Sequence, residues 1–294
     1  MVKKLRGIPP KDVKQGKPKM LVYGAGGVGK TWVSLDWPNV YYIDTEGGAD
    51  QQHYVDKLRN SGGIYMGTDQ GSQDFNAVIE EMQVLATTEH DRQTLVLDSY
   101  SKLYNIVRGN FSDAGKDDFG RDKKEANKPS RRLINWIERV PMNVVVICHE
   151  MPKWVGGEQV GYTFDGYEKL DHELDFIARV EVRGRGEKMK RIATVTKSRL
   201  IGFPVWTEFP WTFDELANRY GRDAIFEKSA PLVLASDQQI AEVHALLASV
   251  TLDPEWQEKT LTKAKATRWE EVDADKVAKT IEWLKAKKET EKPL

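Results

Sequence analysis

The sequence predicts an α/β fold, a mostly parallel central sheet covered by helices, followed by a small all-helical unit. Three observations carry this expectation. Short apolar runs alternate with helix-period stripes through the first two thirds of the chain. A glycine-rich loop follows the first of those runs, at the kind of strand end where open α/β sheets bind ligands. After Phe226 the strand signal stops and only helical periodicity remains.

Taken in order, residues 1–19 are polar and basic, and Gly7, Pro9, Pro10, Gly16 and Pro18 interrupt them. They read as a basic, flexible arm. Met20 to Tyr23 is the first strand, an apolar run ended by glycines. Val40 to Asp44, Thr94 to Asp98 and Asn143 to Cys148 follow, and Phe176 to Val182 and Arg191 to Thr196 add two more. Short runs of this kind suit strands buried on both faces. Between them Phe75, Val78, Ile79, Met82 and Leu85 recur at helical spacing, as do Leu133, Ile134 and Ile137.

Residues 20–226 therefore read as one core. Residues 227–235, with Pro231, read as a linker. Ser236 and Gln239 form a capping-box pattern that opens a helical unit over 236–294. There Ile240, Val243, Leu246, Leu247 and Val250 make one stripe, and Val277, Ile281 and Leu284 another. Trp256, Trp269 and Trp283 are expected to fill the core of so small a unit.

Composition narrows the class. The 294 residues carry 44 Lys and Arg against 45 Asp and Glu, a net charge of −1, with 40% hydrophobic residues, which excludes a mostly disordered chain. No apolar run approaches the roughly 18 residues needed to cross a bilayer, and no apolar segment follows the basic start. Cys148 is the single cysteine, so neither an intrachain disulfide nor a multi-cysteine zinc site is expected. A cytoplasmic protein without a membrane partner is the expectation. The charge is unevenly spread, with a net of +6 over 1–19, +6 over 183–199 and +3 over 108–132. Such local patches can hold phosphates even in a neutral chain.

The run Gly24, Ala25, Gly26, Gly27, Val28, Gly29, Lys30, Thr31 fits G-x-x-x-x-G-K-[ST] after a strand. Glycines let successive backbone N–H groups curl around phosphate oxygens, and a helix starting near Gly29 would point its positive end at the same anion. Lys30 would reach the β- and γ-phosphates of ATP, and the Thr31 hydroxyl would ligate Mg²⁺. Asp98 ends an apolar run at the same kind of strand end and suits the second Mg²⁺-holding group. Ser99 follows it, so no acid stands directly after Asp98 to serve as general base. Glu46, beyond Ile43-Asp44-Thr45 and before Gly47-Gly48, is the favoured base for the attacking water, with Asp44 as its rival.

The ordered set of phosphate loop, Ile43-Asp44-Thr45-Glu46, Leu97-Asp98-Ser99 and Ile147-Cys148-His149-Glu150 resembles the RecA-type recombinase core. It is most similar to the compact phage RecA-like ATPases that act as single-strand annealing proteins. The likeness runs from about residue 18 to about 215. It implies a RecA-like P-loop NTPase fold, hydrolysis of ATP with Glu46 as catalytic glutamate, and His149 as the polar sensor of the γ-phosphate. It also implies that Lys197 and Arg199, in Lys197-Ser198-Arg199, reach the ATP of a neighbouring subunit, so that the protein works as a homo-oligomer or filament. Residues 1–19 stand where bacterial RecA carries a longer polymerisation module, which favours annealing or loading over strand exchange on long filaments.

Two segments align with the family's loops for single-stranded DNA. The first spans 108–130, with Arg121, Lys123, Lys124 and Lys128. The second spans 151–169, with Lys153, Trp154, Tyr162 and Phe164. Cations that follow a phosphate backbone and aromatic faces that stack on bases suit that partner. A single-strand-binding protein is a further expected partner. The rival classes are a packaging motor, a small-molecule kinase and a nucleotide-binding adaptor with slow turnover.

Overall fold

The computed structural model describes residues 9–10, 12, 15–48, 51–113 and 121–290. Strands β1 (Lys19–Gly24), β2 (Val40–Asp44), β3 (Ile64–Met66), β4 (Thr94–Asp98), β5 (Asn143–Val155), β7 (Phe176–Arg183), β8 (Lys190–Ser198) and β9 (Glu208–Pro210) lie side by side in the order β3-β2-β4-β5-β1-β7-β8-β9. A further strand, β6 (Glu158–Phe164), pairs only with β5. From β3 to β7 all neighbours are parallel, and β8 and β9 are added antiparallel. Parallel neighbours need crossover connections, so their C-terminal ends gather at one edge. The register makes this concrete: Gly24 pairs with His149, while Asp98 lies between Asp44 and Ile147.

Alternation along the strands splits the core in two. Leu21, Tyr23, Leu95, Leu97, Val144 and Val146 face a first cluster with residues of α3 (Phe75–Thr87), α4 (Tyr100–Asp113) and α5 (Arg121–Arg139). Met20, Val22, Val40, Tyr42, Val96 and Val145 face a second with residues of α1 (Lys30–Ser34), α7 (Phe213–Tyr220) and α8 (Arg222–Phe226). The central strands are thus covered on both faces, which is why they read as continuous apolar runs. A further helix, α2 (Gln52–Asn60), follows β2, and the short α6 (Leu170–Glu173) precedes β7. None of the helices among the described residues is long and apolar enough to cross a membrane.

Two expectations need correction here. The segment 151–169 is not an open loop. β5 continues beyond the sheet to Val155 and turns back antiparallel as β6, with Glu150 opposite Phe164 and Val155 opposite Glu158. The segment 108–130 is largely helical, since α4 runs to Asp113 and α5 starts at Arg121.

Beyond the sheet, α9 (Asp237–Leu247), α10 (Trp256–Lys263) and α11 (Ala274–Thr290) pack around a third apolar cluster that includes Val243, Leu261, Trp269, Val277 and Leu284. Ser236 Oγ accepts from the Gln239 N–H, and Gln239 Oε1 accepts from the Ser236 N–H. Trp269 is buried, but Trp283 is 45% exposed and stacks on Trp256 with ring centroids 5.0 Å apart, so it covers the cluster from outside. Residues 227–235 are held rather than loose. Leu232 donates its N–H to Ala86 O, and Leu232 and Leu234 pack on the first cluster. Ion pairs join α5 to the segment between α10 and α11: Arg132 with Glu271, Arg139 with Asp273, and Glu138 with Lys265.

Candidate functional site

The phosphate-loop sequence forms a tight turn between β1 and α1. Gly24 packs against β7 so closely that a Cβ there would lie 2.2 Å from Val180 O. Gly29 holds a left-handed conformation (φ +93°) that a side chain would strain. Ala25, Gly26, Gly27 and Val28 span the turn between them. The Trp211 indole N–H donates to Gly29 O at 3.1 Å and fixes the loop from the β9 side.

Lys30 folds back into this turn. Its ammonium donates to Gly24 O at 2.7 Å and Ala25 O at 2.8 Å. Burial pulls its pKa down, while the Asp98 and Glu46 carboxylates oppose that pull. The ammonium therefore sits over the loop held only by carbonyls, which an arriving phosphate would replace. Thr31 Oγ1 donates to Asp98 Oδ2 at 2.5 Å, and the Tyr42 hydroxyl donates to the same oxygen at 3.2 Å. Burial pushes the Asp98 carboxyl up to about 6, with the Thr31 hydrogen bond working against it. A buried carboxylate beside a hydroxyl is an oxygen pair of the kind that holds a hard divalent cation, so Thr31 and Asp98 fit Mg²⁺.

The carboxylate of Glu46 lies near enough to that pair to act on both Asp98 and Lys30. Glu46 Oε1 accepts from Ser99 Oγ and from His149 Nε2, each at 2.5 Å. The His149 hydrogen bond holds Glu46 below the usual carboxylate range, and the same bond raises His149. Asp44 has a different task. Its Oδ1 accepts the Glu46 and Gly47 N–H groups at 3.0 and 2.9 Å, so it builds the turn that presents Glu46. The residue after Asp98 is therefore not idle: Ser99 is hydrogen-bonded to the candidate base. Phosphate cradle, cation pair, carboxylate and histidine come together at the ends of four adjacent strands.

Residues 16–201 match a protein family described as an AAA domain. The chain belongs to that family. Membership makes it a P-loop ATPase of the AAA type, a nucleotide-binding protein of the nucleotide-hydrolase class. No curated protein matches the chain. The matched residues run from ahead of β1 to just past β8, so they take in the whole cluster described above and end before β9 and the C-terminal helices.

The remaining expected residues are scattered. Lys197 and Arg199 lie at the opposite edge of the sheet, because β8 runs antiparallel to β7 and Ser198 pairs with Phe176 at the start of that strand. Lys197 turns its ammonium to Leu174 O, and the Arg199 N–H donates to Asp175 O. Neither reaches this chain's own phosphate loop. Phe164 is buried in the first cluster beside Tyr23, which withdraws it from any base. Tyr162 is 44% exposed, but the Arg179 guanidinium covers its ring at 4.5 Å. Trp154, 60% exposed, and Lys153 do project from the β5–β6 hairpin. Lys128 is exposed on α5, while the side chains of Arg121, Lys123 and Lys124 lie outside the described residues. One residue that sequence reasoning did not single out, Arg191, lies against Gly29. Only its membership of the basic run 183–199 pointed toward it.

Proposed function

We propose that the protein is a Mg²⁺-dependent ATP hydrolase with a RecA-like core that acts on single-stranded DNA in annealing or strand pairing. The observation that carries the hydrolase part is the meeting of Lys30, Thr31, Asp98, Glu46 and His149 at one sheet edge. In this reading the loop N–H groups and Lys30 bind the β- and γ-phosphates. Mg²⁺ at Thr31 and Asp98 supplies charge neutralisation on the phosphates. Glu46, presented by the Asp44 turn, orients the attacking water and accepts its proton. Ser99 and His149 hold the Glu46 carboxylate in place, and His149 stands where it can also meet a terminal phosphate.

The DNA part rests on continuity. β5 carries His149 at the nucleotide and, five residues on, the exposed Trp154 beside Lys153. An aromatic face next to a cation on a hairpin suits base stacking along a strand. In the same reading the protein works as a homo-oligomer or filament in which Lys197 and Arg199 serve a neighbouring copy, and a single-strand-binding protein is a partner.

The test is steady-state ATP hydrolysis, with and without single-stranded DNA, at several protein concentrations, with Lys30→Ala as control. Stimulation by DNA that rises more than linearly with protein, and that Trp154→Ala reduces, is the expected result. Turnover in Lys30→Ala equal to the parent would overturn the site. Hydrolysis indifferent to DNA would leave a P-loop ATPase of another kind.

A further inference from the structure

The β7–β8 hairpin brings one more cation to the phosphate loop. Arg191 stands second on β8, and the antiparallel direction of that strand puts it at the nucleotide edge. Its side chain crosses the last glycine of the loop. An atom added at the Cβ position of Gly29 would lie 2.6 Å from Arg191 Nε and 2.7 Å from Cδ. Trp211 ties both sides of this contact together: its indole N–H donates to Gly29 O at 3.1 Å, and its backbone N–H donates to Arg191 O at 2.9 Å.

The guanidinium itself is exposed and makes no hydrogen bond or ion pair among the described residues. Its neighbours differ. Arg179 is paired with Glu150 and Glu181, and Arg183 with Glu181 and Glu208. The Tyr54 phenol, raised by burial, is pushed further up by the Asp98 charge and pulled back by Arg191. Tyr54 thus lies within reach of both the Asp98 and the Arg191 charge. A planar, always-charged head packed onto a phosphate loop, with its stem fixed and its donors unused, is suited to bidentate contact with a phosphate.

We infer that Arg191 is a nucleotide-binding residue acting within its own chain, its guanidinium contacting the diphosphate part of a nucleoside di- or triphosphate held in the loop. The inference rests on the reading of Gly24–Thr31 as the nucleotide site. The flank of β1 that holds β5, β4 and β2 carries Glu46 and His149, the groups for the terminal phosphate. Arg191 approaches from the other flank, over β7 and β8, and so meets the part that ADP and ATP share. An interaction made equally with both nucleotides is uniform binding, which appears in KM more than in kcat.

The experiment is calorimetric titration of the full chain with ADP and with a non-hydrolysable ATP analogue, in Mg²⁺. Arg191→Ala is expected to weaken both by a similar factor, about tenfold to a hundredfold. Arg191→Gln, whose stem still packs on Gly29, should lose as much, and Arg191→Lys should recover part of the affinity. Arg185→Ala, on the same hairpin and away from Gly29, should bind like the parent. Affinities unchanged in Arg191→Ala and Arg191→Gln, a loss confined to the triphosphate, or an equal loss in Arg185→Ala would each overturn the inference. A parent chain that binds neither nucleotide would overturn the nucleotide-site reading itself, and this inference with it. Binding by the parent that Lys30→Ala abolishes and Arg191→Ala leaves intact would remove this inference alone.

Discussion

At the junction between α5 and the C-terminal helices each charge meets its opposite, whereas at the nucleotide edge the charges are close together and largely unspent. Arg132 and Glu271 are 2.7 Å apart, Arg139 and Asp273 2.7 Å, and Glu138 and Lys265 2.6 Å. At the nucleotide edge Lys30 bonds only to carbonyls, and Asp98 only to hydroxyls. Among the cradle, Asp98 and Glu46, Glu46 has a partner that can carry charge, His149, whose pKa their hydrogen bond raises. Charges that neutralise each other fix one element against another. Charges held a short distance from neutralisation are kept for a ligand, and the fold carries their burial cost.

The largest test of this contrast is Lys30→Ala. It should reduce ATP turnover by about a thousandfold or more, since it removes a phosphate-binding charge, without lowering the melting temperature, since it also removes a buried cation. Measuring both on one sample separates the two predictions. Glu46→Gln should leave nucleotide affinity close to that of the parent and slow single-turnover hydrolysis by about a hundredfold to ten-thousandfold. If Asp44→Asn, which loosens the turn, were the slower of the two, Glu46 would lose its role as base.

At the junction the expected outcome is reversed. Glu271→Ala removes a buried carboxylate that accepts from Arg132 and from the Thr267 N–H and hydroxyl. It should cost about 3 kcal/mol in urea unfolding and leave the hydrolysis rate of the folded fraction unchanged.

The pH responses are smaller. Burial raises Asp98 to about 6 from the ordinary 3.8. Its ionisation therefore opposes folding, and that penalty grows as pH rises from the unfolded value and is complete above the folded one. Asp98→Asn should raise the melting temperature at pH 8, with the gain vanishing near about pH 4. The affinity for Mg²⁺ with nucleotide should fall as pH drops through about 6 in the parent alone. The Glu46–His149 pair runs on a different window. His149 is raised and Glu46 lowered, so their attraction is fully present between the ordinary values of 4.5 and 6.5. It fades as pH falls through the Glu46 value or rises through that of His149. Nuclear magnetic resonance should show His149 titrating above an ordinary histidine, and in Glu46→Gln the midpoint should move down.

How legible the molecule was in its sequence follows from the same physics. Val40–Asp44 and Thr94–Asp98 have the bounds that their apolar runs imply, because strands covered on both faces need apolar residues at every position. β3 and β9 have three residues each, too few to show a period. The outer half of β5 and most of β6 are exposed, and Pro152 and Gly161 interrupt their apolar residues, so they read as loop although Gly156-Gly157 marks the turn. Among site residues, the cradle and Asp98 follow from spacing. That Ser99 and His149 share Glu46 does not, since it depends on the order of β2, β4 and β5 in the sheet. The place of Lys197 and Arg199 turned on the direction of β8, which composition does not encode.

Trp211 carries a practical consequence for where this protein can be cut. The family match ends at residue 201, yet Phe209, Trp211, Leu216, Tyr220 and Ile225 complete the second apolar cluster. A fragment trimmed to the matched span would lose the indole that ties Gly29 to Arg191, together with one wall of the interior beneath β1, β7 and β8. Limited proteolysis should therefore yield no stable product ending near residue 201. The smallest autonomous piece has to extend through α8, so the unit recognised by likeness is shorter than the unit that folds.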